Sequence, residues 1–267
     1  MASPCHWPLF RARVLLLAAL AAGLPGPAIC ALAAQPATPA HRQPVLVELF
    51  TSEGCSDCPP ADTLLAELDA KQFVPDAEAI VLSEHVTYWN RQGWVDPFSS
   101  EEFTFRQQEY ETRFGLDSSY TPQMVVDGAA QFVGSNEAAL ESAVTRAAET
   151  SKQELAIENA HWEGGAVQFS VKSPADSGAS LMAVLAANAT QSEVARGENA
   201  GRTLHHVAVA RAIKDFGSRA TDGRPLKLSG GSLAHGKEAS EPVRLVVFLT
   251  DHKTGHVVAV AEQTLTR

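Results

Sequence analysis

Cysteine is scarce in this chain, and where it matters it is clustered. Of four cysteines, Cys5 and Cys30 lie in an N-terminal stretch that reads as a removable leader, which leaves Cys55 and Cys58. A pair three residues apart closes too small a loop to staple a domain, because disulfide stabilisation grows with the loop it closes. A disulfide-framework protein is excluded. Basic residues are also few, 21 Lys and Arg against 31 Asp and Glu. Nucleic-acid binding needs clustered cations to neutralise phosphates, so that partner class is set aside. Beyond the leader no segment stays apolar for the ~20 residues that a bilayer span requires. The mature chain therefore carries no membrane span, and no long internal repeat is visible.

The leader itself has three parts. Arg11 and Arg13 precede VLLLAALAAGL (Val14–Leu24), and Ala31-Leu32-Ala33 offers an A-x-A exit. A positive segment, a short apolar core and small residues at the cut are the marks of a secretory signal peptide. The expectation is a signal peptide over 1–33 and a mature protein in the periplasm or outside the cell. Its removal leaves 19 basic residues and a net charge of -12. Disulfides persist in such an oxidising compartment.

What remains is patterned. Residues 34–44 are rich in Pro and Ala and read as a flexible lead-in. Val45–Thr51 is an almost continuous apolar run, as a strand covered on both faces should be. Pro59-Pro60 marks a helix start, followed by Ala61, Leu64, Leu65 and Leu68 at helical spacing. Ala79–Val86 reads as a second strand. Phe103, Gln107, Tyr110 and Phe114 give one face of a second helix that stops at Gly115. Asp127-Gly128 between Met124–Val126 and Gln131–Val133 is a hairpin signal. A third helix runs from about Asn136 to Thr150. After residue 152 the segments become short and β-branched, separated by Gly, Pro, Asp and Ser, which suggests a sandwich. Two domains are expected, an α/β domain over 45–151 and a smaller all-β, sandwich-like domain over 152–267.

The order β-α-β-α-β-β-α, with VELFTSEGCSDCPPAD placing C-x-x-C between the first strand and first helix, resembles the thioredoxin fold. YTPQMVVDG (Tyr120–Gly128) sharpens the resemblance. Thioredoxin-like proteins carry a Pro, usually cis, before the third core strand and opposite the cysteines; here that is Pro122 after Thr121, a pair with a substrate-positioning role. FTSEGCSDCPPAD, HVTYWNRQGWVDPF, YTPQMVVDG and GRTLHHVAVAR are together similar to the exported bacterial family catalogued as domain of unknown function 1223. That likeness covers nearly the whole mature chain. It implies a thioredoxin-like first domain and export, and it brings no established activity. The chain departs from the family pattern at Thr87 and Asn90, where acidic residues are common.

The chemistry expected is thiol–disulfide exchange. A thiolate at a helix N-terminus faces unpaired N–H groups and the positive end of the dipole, which places Cys55 as the attacking thiol. Cys58, a turn deeper, resolves the mixed disulfide. Asp57 between them opposes thiolate formation. Glu48 is the one acid in an apolar strand, and has two readings: proton acceptor for Cys58, or structural carboxylate. His85, Tyr88, Trp89 and Trp94 follow the second strand and so belong near the cysteine loop, as pocket walls, a proton site, or an aromatic loop packed over the sheet edge. His205 and His206 point to opposite faces of a strand and read as surface residues. The implied partners are a protein or small thiol substrate and a redox partner, with no cofactor beyond a redox-active Cys55–Cys58 disulfide. Two other classes stay open: a binding protein on an inherited scaffold, and a soft-metal module holding Cu(I) through Cys55, Cys58 and His85.

Overall fold

The computed structural model describes residues 42–174, 178–218, 220–234 and 241–266. They fall within one compact unit, 40–267. The expected signal peptide and nearly all of the lead-in lie outside the described residues.

The first half runs β1 (Gln43–Thr51), α1 (Pro59–Lys71), β2 (Ala77–His85), a 3₁₀ turn (Tyr88–Arg91), α2 (Glu101–Phe114), β3 (Gln123–Val126), β4 (Ala130–Val133) and α3 (Glu137–Ala148). This is the order read from the periodicity. Each helix has a local cause. In α1, Pro59 and Pro60 occupy the first two positions and Ala61, Leu64, Leu65 and Leu68 make the buried stripe. For α2, the Ser100 side chain accepts from the Glu102 N–H, and Gly115 closes the helix at φ 63°. That left-handed conformation costs glycine little. The Asn136 side chain caps α3 by accepting from the Ala139 N–H.

The second half supplies β5 (Ala156–Glu163), β6 (Ala166–Lys172), β7 (Ala179–Glu193), β8 (Thr203–Gly217), β9 (Leu226–Ser229), a 3₁₀ turn (Gly231–Ala234), β10 (Val243–Asp251) and β11 (Val257–Leu265). The segment expected to form a sandwich by itself gives most of its strands to the first sheet. That sheet has eight strands in the order β11-β10-β7-β8-β2-β1-β3-β4. β1 and β2 are parallel, with Thr51 opposite His85, and β8 joins parallel to β2 at Ser83 opposite Val209. The remaining strands, β5-β6-β9, make a three-stranded sheet.

Strand alternation sorts the core. Val45, Val47 and Leu49 of β1 pack with Leu65 and Leu68 of α1 and Leu140 and Val144 of α3. Leu46 packs on the other face with Phe103 of α2, and Phe50 with Tyr110. Further along, Leu181, Leu185, Leu245 and Val247 meet Val167, Phe169 and Val171 of the small sheet. The consequence for function is local. The ends of β1 and β2, the start of α1 and the β7–β8 connection all meet at one edge of the large sheet.

Candidate functional site

β1 hands over to α1 through a tight turn. The Cys55 N–H donates to the Ser52 carbonyl at 3.1 Å, and the Cys58 N–H to the Cys55 carbonyl at 3.3 Å. This brings Cys55 and Cys58 to a Cα separation of 5.5 Å, joined as a disulfide. Cys58 is the N-cap of α1. The expected supply of free helix N–H groups is absent, however. Pro59 and Pro60 have none, and the Ala61 and Asp62 N–H groups both donate to the Cys58 carbonyl, at 2.8 and 3.1 Å. The attacking thiol expected at Cys55 is as deeply buried as its partner, 1% exposed against 0% for Cys58.

The cover over Cys55 comes from the β7–β8 connection, residues 194–202. Asn199, wholly buried, donates from Nδ2 to the carbonyls of Glu53 (2.9 Å) and Cys55 (2.8 Å). Beside it the exposed Glu198 carboxylate accepts from the Ser56 N–H at 3.0 Å, and the Ser56 hydroxyl together with this N–H holds the acid below the usual carboxylate range. Both contacts cross more than 140 residues of sequence.

Beneath the turn lies a buried polar cluster. Glu53, fully buried, accepts from the Trp94 indole N–H at 2.7 Å and from the Ser192 hydroxyl. Asp62, one helical turn after Cys58, accepts from the Thr51 hydroxyl at 3.0 Å. Between these carboxylates stands His206, its Nε2 3.4 Å from Glu53 and its Nδ1 3.7 Å from Asp62. These are ion-pair distances, and neither ring nitrogen makes a short hydrogen bond. Burial works to lower the His206 pKa, but Asp62 and Glu53 together raise it to about 10. The ring is therefore an imidazolium near neutral pH.

A second histidine adjoins it. His85 and His206 meet edge to face with centroids 4.7 Å apart, and Phe98 closes against both. His85 Nδ1 lies 2.7 Å from Asp96, which also accepts from the N–H groups of Glu53 and Phe98. Burial pushes the Asp96 pKa up, but His85 and these donors outweigh it and hold it at about 2. Among the described residues no group of three or more His, Cys, Asp or Glu is arranged to hold a metal ion.

The aromatic loop completes the surroundings. Trp89 donates from Nε1 to the Thr121 hydroxyl at 2.7 Å. Its Cβ lies 3.1 Å from where a Cβ on Gly54 would stand, so a side chain at 54 requires Trp89 to give by a few tenths of an ångström. One residue thus touches both the cysteine turn and the Thr121-Pro122 segment. The Thr121–Pro122 peptide is cis, as expected. Pro122 and Ala61 of α1 flank Gly134, at 3.2 and 3.1 Å from its Cβ position. The Tyr88 hydroxyl donates to Gln107, and burial pushes its phenol up to about 12. A cleft of about 400 Å³ is lined by Thr87, Tyr88, Asn90, Arg91, Glu101 and Thr104, and includes neither cysteine.

Residues 46–250 match the family described as "Protein of unknown function (DUF1223)". The chain belongs to this family. No curated protein matches it. Among solved structures it is similar to the X-ray crystal structure of protein AGR_C_4864 from Agrobacterium tumefaciens. The two are 23% identical over 83% of this chain and 93% of that one, with a TM-score of 0.62. At that identity the likeness concerns the fold alone.

Against the residues singled out from sequence, the structure brings together Cys55, Cys58, His85, Trp89, Trp94 and Thr121-Pro122. It sets Glu48 apart. Glu48 lies on the α2 face of the sheet, bound by Arg106 at 2.6 Å and by the Tyr110 hydroxyl at 2.5 Å, whereas α1 and its cysteines cover the other face. Of its two readings, this geometry supports the structural carboxylate. Three members of the site do not stand out in the sequence, Glu53, Asp62 and Asp96, and a fourth, His206, was misplaced. His206, read as a surface residue, is 2% exposed because β8 is an interior strand of the large sheet, while His205 faces solvent. The spacing Cys58-x-x-x-Asp62 was a usable signal, since residues four apart share a helix face.

Proposed function

We propose that this protein is an exported thiol–disulfide oxidoreductase whose thioredoxin-like half carries the reactive pair Cys55–Cys58. The observation that carries the reading is the position of the disulfide, at the strand-to-helix turn beside the Thr121-Pro122 segment that Trp89 bridges. In the reducing direction the Cys55 thiolate attacks a substrate disulfide, releasing one thiolate. Cys58 then attacks the Cys55 sulfur, releasing the second thiolate and re-forming Cys55–Cys58. Two electrons pass to the substrate, and an external dithiol returns them.

The site's charge favours a reducing character. A free thiol has a pKa near 8.5, which helix N–H groups and cations bring down. Here two of those N–H groups are replaced by proline and two are spent on the Cys58 carbonyl. The Glu53–His206–Asp62 set carries one net negative charge, and Asp57 and Glu198 add more at the surface. Thiolates are disfavoured there, so the disulfide is the preferred form.

The test is insulin-type disulfide reduction with Cys55→Ser and Cys58→Ser alongside the wild type. Expected are an active wild type, an inactive Cys55→Ser, and a Cys58→Ser that accumulates mixed disulfides. A wild type no faster than the same concentration of free dithiol, with no trapped partner on Cys58→Ser, rejects the reading. The near-complete burial of Cys55 under Asn199 favours a second reading, a binding protein with an inert disulfide. That outcome would support it.

A further inference from the structure

We propose that Asp62 is the group through which Cys58 loses and regains its proton, with His206, itself held by Glu53, as the residue that positions the Asp62 carboxylate. This rests on the oxidoreductase reading above. A resolving thiol buried at 0% exposure needs a nearby base, since water does not reach it. Glu48 does not qualify, being held on the α2 face by Arg106 and Tyr110. Asp62 does. Cys58 has helical φ and ψ, Asp62 follows four residues later, and the Asp62 N–H bonds back to the Cys58 carbonyl at 3.1 Å. The two side chains therefore leave the helix on the same face.

His206 stands 3.7 Å from Asp62 and 3.4 Å from Glu53, at ion-pair distance, and so orients the Asp62 carboxylate without occupying it in a short hydrogen bond. The groups that face His206 are Asp62 from α1, Glu53 from the cysteine turn, His85 from β2, and the neutral Phe98. Thr51, through its hydroxyl, fixes the Asp62 carboxylate at 3.0 Å. Asp62 keeps 6% of its surface exposed, which gives the proton a way out.

In the step itself, the Cys58 S–H proton passes to the Asp62 carboxylate as the Cys58 sulfur attacks the Cys55 sulfur. The Cys55–substrate S–S bond breaks, the intramolecular S–S bond forms, and the leaving substrate thiolate takes the proton from Asp62 or from water. When an external dithiol attacks Cys55 and breaks Cys55–Cys58 again, Asp62 takes up a proton released by that dithiol and passes it to the emerging Cys58 thiolate. Electrons and protons balance in both directions.

An aromatic disulfide that releases a coloured thiolate separates the two chemical steps. Reduced wild-type protein mixed with it should give two phases, attack by Cys55 and then resolution by Cys58. Asp62→Asn should leave the first phase within about twofold and slow the second about 100-fold, the lower end of general-base contributions. Asp62→Glu should recover part of the loss. Glu48→Gln should leave the second phase near wild type. Should Asp62→Asn fail to fold, the wild type suffices: its second phase should show a solvent deuterium isotope effect that its first phase lacks. An unchanged second phase in Asp62→Asn, or no isotope effect in the wild type, overturns this inference while a two-phase wild type keeps the oxidoreductase reading. A wild type that releases no thiolate overturns both.

Discussion

The large sheet holds two buried ionic clusters of nearly the same make-up on opposite faces, built to different tolerances. Under α2, Glu48 and Glu84 share Arg106, with Tyr110 completing the set. Under the cysteine turn, Glu53 and Asp62 share His206. In the first, distances of 2.5 and 2.6 Å fix Glu48, and the guanidinium cannot give up its proton. Burial and then the charge of Glu48 push Glu84 well above the usual carboxylate range, favouring its neutral form. In the second, the distances are longer and the cation is an imidazole that can titrate. The first is a structural bolt. The second, beside the Cys55–Cys58 disulfide, is built round a cation that can titrate. Composition alone does not distinguish them; the cation and its spacing do.

That contrast can be broken from its rigid side first. Arg106→Met leaves Glu48 buried without its partner, and removing one member of a buried pair costs about 3–5 kcal/mol. The urea midpoint should fall accordingly, with little effect on cysteine chemistry once the variant is compared under folding conditions. A loss below about 1 kcal/mol would put the two clusters on the same footing.

His206→Gln sharpens the titratable side. Its folded pKa, about 10, is raised above the ordinary 6.5. The stability it contributes is thus fully present below about 6.5 and lost as pH rises through about 10. Each tenfold gain in proton affinity on folding is worth about 1.36 kcal/mol, so the gap between wild type and variant should be a few kcal/mol near pH 6. It should close progressively by pH 10, as read from denaturant midpoints at several pH values. Arg106→Met should show no such closing over that range. A constant gap for His206→Gln would deny the imidazolium.

The smallest effect should come from Asn199→Ala. It removes two hydrogen bonds to the carbonyls of Glu53 and Cys55 and should cost roughly 1–2 kcal/mol. Its more telling readout is kinetic. In the reduced protein, Cys55 should alkylate several-fold faster than in wild type, because the β7–β8 cover is loosened. Equal rates would show that Asn199 does not limit access.

Much of the first half was legible because its signals are local. The proline pair starts α1, Gly115 stops α2, and Asp127-Gly128 turns β3 into β4, each through backbone preferences carried by the residues themselves. The strands of the second half were legible for the same reason. Their partners were not. β8 meets β2 at one registered pair, Ser83 opposite Val209, across a separation that no local pattern announces. Everything that depends on this seam was hidden: the burial of His206, its contact with His85, and the reach of Asn199 to Cys55. Glu48 shows the converse. Its place in an apolar strand signalled burial correctly, but the face it occupies was decided by Arg106 on α2, four elements away in the chain.

The reach of Asn199 also sets an order of events during biosynthesis. The cysteine pair is made 144 residues before the side chain that covers Cys55. At synthesis rates of about 5–20 residues per second, that leaves roughly 7–30 s of synthesis in which the pair has no cover. Any oxidant met in that interval finds two uncovered thiols on a short turn. A chain oxidised before Asn199 folds into place therefore has its cover laid over a bond that is already made.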